Sequence, residues 1–169
     1  FLLITMYLHI FKYFIPNETY WDGLKVVPIL LAANICLGIY ASLSIWYKLS
    51  EKTIFGALIS LTGVIITIII NFIFIPKFGY LASAYATLAC YGSMMLISYF
   101  LGQYYYPVKY NTRKFLVYIL CGGGIYFLSL DFVGSESFSL SDYIYQSFLL
   151  VSYLVLVYFV ERTNKKVFN

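Results

Sequence analysis

Few side chains in this sequence are of types that do chemistry at membrane depth. Thr5, His9 and Lys12 follow one another at intervals of four and three residues, so they share one face of a helix and give it a polar stripe. Asn34 and Asn71 each stand inside a long apolar run. An amide or an ionisable group within a bilayer needs partners, and an intramembrane ionisable residue is a functional candidate by default. His9, Lys12, Asn34 and Asn71 are therefore the candidate substrate-pathway residues. Each has a plainer reading beside this one. Lys12 is four residues from Pro16 and can snorkel outward, and the amides can act as packing contacts between helices.

Catalysis and metal binding find less. The acids Glu18, Asp22, Glu51, Asp131, Glu136, Asp142 and Glu161 all fall in expected loops or at helix ends, and His9 is the single histidine. That excludes a credible Ser/His/Asp order and any buried carboxylate pair, so no catalytic residue is assigned and the chain is not expected to be an enzyme. Cys36, Cys90 and Cys121 sit in apolar runs without metal-ligand spacing and read as small hydrophobes; no metal and no cofactor is expected. The run CGGGIY at 121–126 lacks the Lys-Ser/Thr ending of a phosphate loop, and its glycines instead suit close helix approach or a kink. Asn17-Glu18-Thr19 fits the short glycosylation acceptor pattern, which has meaning only in a eukaryotic secretory protein.

The elements that must position these residues are set by composition. The chain has 169 residues, 62% of them hydrophobic and 11% charged, too little polar surface for a soluble domain. A bilayer-spanning helix needs about 20 mainly apolar residues. Five full candidates follow, at about 25–47, 54–75, 80–101, 114–131 and 143–160, with a sixth at 1–15 that looks cut off. The expectation is all-α, a polytopic transmembrane bundle of about six helices forming one domain over 1–169. The opening at Phe1, with no charged leader, reads as the start of a fragment rather than a signal peptide.

Within IPKFG at 75–79, Pro76 is expected to end one helix and Gly79 to allow a tight turn into the next. On the two helices so joined, Ser60, Gly63, Thr67 and Asn71 form one small-residue stripe, and Ala82, Ala86, Ala89 and Ser93 another. Such stripes let backbones approach, and close packing is what drives association in lipid.

The formal charge of +4 does not point to nucleic acid, because its distribution is a topology signal. Lys48, Lys52, Lys109, Arg113, Lys114, Arg162, Lys165 and Lys166 fall on one side by alternation, against Lys25, Lys77 and Lys12 on the other. Eight against about three places the C-terminus in the cytoplasm. Tyr20, Trp21, Trp46, Tyr47, Tyr104, Tyr105, Tyr106, Tyr110 and Tyr143 fall near expected helix ends, where aromatic belts form.

Residues 20–53, YWDGLKVVPILLAANICLGIYASLSIWYKLSEKT, resemble the C-terminal half of bacterial polysaccharide flippases. These are the O-antigen and capsule exporters of the multidrug/oligosaccharidyl-lipid/polysaccharide superfamily. The matching features are WDGLKVVPILL, then GIYASLSIWYK, then Lys52-Thr53 opening a helix. Asn71, Ile75-Pro76, Gly79 and the helix start ASAYATL follow in order, so the likeness covers about 20–111, and beyond that it is mainly helix spacing. The resemblance implies the last six helices of a fourteen-helix exporter in a bacterial inner membrane, with an N-terminal lobe missing. It implies flipping of an undecaprenyl-diphosphate-linked oligosaccharide by alternating access between two lobes, beside polysaccharide-assembly enzymes. The partners implied are that lipid-linked oligosaccharide and the bilayer. The interiors of the helices at 25–47, 54–75, 80–101 and 143–160 hold no cation for a diphosphate, so no binding residue is carried over from the family. Two other readings stand beside this one. A cation-coupled multidrug antiporter of the same superfamily would want a buried carboxylate, and a membrane enzyme of polysaccharide assembly would want a large outer loop or a His/Asp or Arg cluster.

Overall fold

The computed structural model describes residues 1–105, 107, 112–133 and 140–165, and of these the side chains other than those of 12, 18, 19, 112–115, 130–133, 140–143, 161 and 163–165. Lys109, Lys166 and the loop at 134–139 lie outside the described residues, as do the side chains of Lys12, Arg113, Lys114 and Lys165. The described chain is all-α. Its helices are α1 (Leu2–Met6), α2 (Leu8–Lys12), α3 (Val27–Leu43), α4 (Ile45–Leu49), α5 (Ile54–Phe78), α6 (Tyr80–Tyr105), α7 (Thr112–Val133) and α8 (Leu140–Lys165). Nine residues of 3-10 helix, Glu18–Val26, precede α3. Three helical stretches, Tyr20–Leu49, Ile54–Phe78 and Tyr80–Tyr105, are long and apolar enough to cross a membrane; Leu116–Ser129 and Ile144–Val160 are shorter apolar helices.

The chain falls into two compact units. One is Thr19–Lys109; the other joins Phe1–Glu18 to Tyr110–Asn169. In the first, α6 packs against both α3 and α5. The reason is written along α6. Ala82, Ala86, Cys90, Met94, Ser98 and Gly102 recur every fourth residue, and all six are buried. Residues four apart lie one above another on a helix, so this is a continuous seam of mostly small side chains. Across it, α5 offers Gly63, where an added Cβ would stand 2.7 Å from Met94 Sδ and 2.9 Å from Cys90 Sγ. Glycine is what lets the two helices meet there. The expected stripe on α6 is thus half right in position: Ala82 and Ala86 are in the seam, whereas Ala89 and Ser93 are only half-buried beside it.

The turn between α5 and α6 is one residue long. Gly79 has φ 58° and ψ −138°, a conformation L side chains rarely adopt, and its N–H donates to the Ile75 carbonyl at 2.9 Å. Pro76 does not end the helix, contrary to the sequence expectation; α5 runs on to Phe78. Proline's fixed φ is helical, and in the last turn it forfeits only the bond its missing N–H would have made to Phe72.

At the other end of α5, α3 gives way at Ser44 to the short helix α4; the Ser44 backbone stays helical and its hydroxyl donates to the Ala41 carbonyl at 2.6 Å. Trp46 and Tyr47 were expected at a wet interface. They are instead 3% and 5% exposed and form a core with Ile59, Cys90 and Met94. Two glycines admit them. A Cβ at Gly56 would meet the Tyr47 ring at 2.8 Å, and one at Gly102 would meet Trp46 Nε1 at 3.0 Å. Trp46 stacks on Tyr105, with ring centroids 6.0 Å apart, and Phe55 packs on both rings. Tyr20, Tyr104 and Tyr105 do stay exposed near helix ends.

In the second unit α1, α7 and α8 contact one another pairwise. The expected helix at 1–15 is broken at Tyr7 into α1 and α2. Phe1 meets Tyr126 edge-on at 5.3 Å, and the Tyr7 hydroxyl lies 2.6 Å from Ser147 Oγ, which fixes α1 across the α7–α8 pair. Gly122 takes the Tyr153 ring, 3.7 Å from where a Cβ would stand, and α7 runs through Gly122–Gly124 as one helix.

The Gly63 contact yields a test. Gly63→Val should lower bundle stability by about 1–3 kcal/mol, the usual cost of overpacking. Unfolding by SDS titration from mild detergent measures it, and Met94→Ala in the same chain should return about half the loss or more. Equal loss with and without Met94→Ala would show that the clash is not the cause.

Candidate functional site

Helical hydroxyls in this chain are mostly satisfied at home. Thr62, Thr67, Thr87, Ser42, Ser93 and Ser152 each donate to a carbonyl three or four residues back on their own helix, at 2.7–3.1 Å. This is how a short polar side chain survives in hydrocarbon without reaching a neighbour. Tyrosines make the longer-range contacts. The Tyr80 hydroxyl donates to the Asp22 carbonyl at 3.2 Å, and the Tyr40 and Tyr47 hydroxyls lie 3.1 Å apart.

Against that background the candidates divide. Asn34 lies on the exposed side of α3, and its Nδ2 donates to the Leu30 carbonyl at 2.8 Å. Within its own unit it is exposed rather than packed between helices. Gly38 and Ser42, four and eight residues on, are exposed along the same face, and nothing lies within 4 Å of a Cβ at Gly38. Asn71 is half-buried on the side of α5 that carries Gly63 and Thr67, and its Oδ1 is buried without a hydrogen-bond partner among the described residues. Thr67 and Ser60 of the same stripe line a groove of 310 Å³ between α5 and α6, together with Val64, Ile68, Cys90, Tyr91 and Met94. The two asparagines therefore belong to different helices that flank α6.

His9 and Lys12 belong to the other unit. His9 is half-buried on α2, with its ring centroid 6.5 Å from that of Tyr7. Lys12 ends α2, and its side chain lies outside the described ones.

Comparison with protein-family models, with curated proteins and with solved structures finds no match for this chain. The functional reading thus stands on residues and geometry.

Buried polar residues that the sequence reading passed over turn up in both units. Ser98, Ser129 and Gln146 are fully buried. Ser129 donates to the Tyr126 carbonyl at 2.7 Å, whereas Ser98 Oγ, both amide atoms of Gln146 and the indole Nε1 of Trp46 have no hydrogen-bond partner among the described residues. A usable signal was present for Gln146. It is an amide inside the apolar run YIYQSFLL, the same criterion that singled out Asn34 and Asn71. Ser98 gave no such signal, because serine in an apolar helix is ordinarily satisfied by its own backbone.

The ends of the first unit carry its charge. Trp46, Phe55, Lys52 and Tyr105 meet at one end, with Lys52 Nζ 5.1 Å from the centre of the Tyr105 ring. At the other, Asp22 and Lys25 pair at 2.8 Å. They are three apart in a 3-10 helix, where side chains at that spacing eclipse. The described lysines of this unit thus split evenly, Lys48 and Lys52 against Lys25 and Lys77, so the orientation expected from charge rests on the count over the whole sequence.

The unpartnered atoms make two parallel predictions. Ser98→Ala removes a buried hydroxyl with no partner and should raise stability by about 1 kcal/mol, read by the same SDS titration. Asn71→Leu should leave stability within about 1 kcal/mol of the parent for the same reason. A loss of 3 kcal/mol or more in either, on the order of breaking a buried charged pair, would show that the group is hydrogen-bonded in the membrane.

Proposed function

We propose that this chain is part of a membrane exporter that moves a polyprenyl-diphosphate-linked oligosaccharide from one leaflet to the other. The observation that carries the reading is the face of α3 on which Asn34, Gly38 and Ser42 lie exposed, midway along a stretch long enough to span a membrane. A purely lipid-facing helix has no use for an amide at that depth, whereas a route for a polar glycan needs one. The ordered resemblance over 20–111 supports the same reading and supplies its chemistry. A sugar-diphosphate cannot cross about 30 Å of hydrocarbon unaided, so the transporter offers it a wet, polar path while the prenyl chain stays in lipid.

On this reading two lobes rock about a central cavity, and the α3 face forms part of its wall. The short hydroxyls take no part in recognition, since they are turned onto their own helices. Asn34 spends one amide N–H on the Leu30 carbonyl of its own helix, and on this reading its Oδ1 and second N–H contact the glycan. The orientation that goes with the proposal puts the C-terminus in the cytoplasm of a bacterial cell. The antiporter alternative is the less supported, because α3, α5 and α6 contain no carboxylate to couple a cation.

A strain lacking the complete gene tests the proposal. Mass spectrometry of its lipid extract should show prenyl-diphosphate-linked repeat units accumulating, with loss of surface polysaccharide. Complementation with Asn34→Leu should restore about a tenth of export or less at normal expression, a loss of about 1.4 kcal/mol in the transport barrier or more. Normal surface polysaccharide in the deletion strain would sink the proposal, and full export by Asn34→Leu would remove α3 from the path.

A further inference from the structure

The groove between α5 and α6 and the lysine end of the same unit stand in a relation that the transport reading does not use. Ser60, Val64, Thr67 and Ile68 form one wall of the groove and Cys90, Tyr91 and Met94 the other. The hydroxyl of Thr67 is turned onto the Gly63 carbonyl at 2.9 Å, and the Cys90 thiol lies against Met94 Sδ at 3.8 Å, so these groups present little polarity to an occupant. The groove is open along its length rather than closed into a cavity, and it lies in two helices long and apolar enough to cross a membrane. What reaches such a groove in a bilayer is hydrocarbon.

The face above it is marked by charge. On α6, Cys90, Met94, Leu101 and Tyr105 are spaced four, seven and four residues apart and so share the side that carries the groove. Tyr105 stands at the top of that line, and Lys52 Nζ lies over its ring at 5.1 Å. Lys48 and Lys52 are both exposed, and the one ion pair among the described residues is Lys25–Asp22 at the opposite end. Glu51 lies between the two lysines in sequence, and it is exposed. Tyr105 is exposed at the end of α6, the place of an interfacial aromatic residue, and it stacks on the buried Trp46.

Depth joins the two features. At about 1.5 Å per residue, Ser60–Ile68 lies about 9–21 Å along α5 from its start at Ile54. Counted from Tyr105 on α6, Met94 and Cys90 lie about 16–23 Å down. The two estimates overlap, as antiparallel helices require. They place the groove where the acyl chain of a lipid runs when its phosphate is held at the lysine end, within a leaflet about 15 Å thick in hydrocarbon and a few ångströms of headgroup.

We propose that this side of the first unit is a binding site for an anionic diacyl phospholipid. The lipid phosphate lies at Lys48 and Lys52, and one acyl chain lies along the α5–α6 groove. At the far end Lys25 is paired with Asp22, which leaves Lys77 as the one described lysine there outside an ion pair, against two at this end. The site is independent of transport and of the glycan, because its occupant is a lipid of the surrounding leaflet and its residues do not include Asn34.

Native mass spectrometry of the full chain, released from detergent with equimolar palmitoyl-oleoyl phosphatidylglycerol and phosphatidylcholine, is the test. The parent should retain phosphatidylglycerol in preference by about tenfold. Replacing one lysine, Lys48→Gln or Lys52→Gln, should cut retention about fivefold, the worth of one cation at a membrane surface. The double replacement should abolish the preference. Ser60→Phe, which fills the groove, should reduce retention of both lipids and leave their ratio unchanged. Far-UV circular dichroism confirms that each variant is folded, and the lysine variants, being at the surface, keep the test open if Ser60→Phe does not fold. Equal retention of the two lipids by the parent overturns the proposal, and so does a preference that survives loss of both lysines. Retention unchanged in folded Ser60→Phe overturns the groove as the acyl site. Enrichment of a prenyl-phosphate lipid from the host over added phosphatidylglycerol would also overturn it, by assigning the site to a different lipid.

Discussion

Helices in lipid gain nothing from hiding apolar surface from water, so what holds them must be close contact, and close contact needs small side chains. That constraint shapes the first unit. Helix α6 has two neighbours and meets them through a seam repeating every four residues, from Ala82 to Gly102. The rest is arranged about it. Gly63 brings α5 within reach of Cys90 and Met94, and Gly102 leaves room for the Trp46 indole. The large side chains are pushed outward: Leu58, Leu61, Ile65, Ile68, Ile69 and Phe72 of α5 are all exposed, which in water would be a fault and in a bilayer is the solvent-facing surface.

The same solvent decides where polar groups go. Most Ser and Thr hydroxyls fold back onto their own helices, with Ser147 and its Tyr7 partner the exception that links elements. An amide can do the same and still have groups to spare, as Asn34 does when one N–H meets the Leu30 carbonyl and Oδ1 is left over. Tyr7 and Tyr80 bridge separate elements, and the amides of Asn34 and Asn71 sit on faces where a partner outside their own helix would be met. A candidate polar path is thus defined by the hydrogen-bonding groups a side chain has left over as much as by its polarity, which is why Asn34 outranks Ser42 on the same face.

The two ends of the first unit carry their charge differently. At one, Lys25 is paired with Asp22 within a 3-10 turn and Lys77 stands apart from them in sequence. The other leaves Lys48 and Lys52 outside a block of aromatic rings that α4 contributes to through Trp46 and Tyr47. Gly56 and Gly102 are what make room for those two rings.

The sequence alone determined that the chain is helical and suited to a bilayer, because hydropathy over some twenty residues is a property of composition that no packing alters. It also located the α5–α6 turn, since only Gly79 among those residues accepts the backbone angles found there, and it placed Gly63 in a contact seam. It could not tell which side of α6 faces α5. Small residues are spread around much of that helix, and the choice of Cys90 and Met94 over Ala89 and Ser93 came from where the neighbours sit. It misjudged Pro76, whose effect depends on its place in the last turn, and it put Trp46 and Tyr47 in a belt when two distant glycines, Gly56 and Gly102, made room for them inside. The full burial of Ser98 and Gln146 was likewise decided by the tertiary structure, although Gln146 stands out in the sequence as an amide in an apolar run. Their burial depends on three helices meeting or on a seam continuing, and neither is a property of the residues that flank them in the chain.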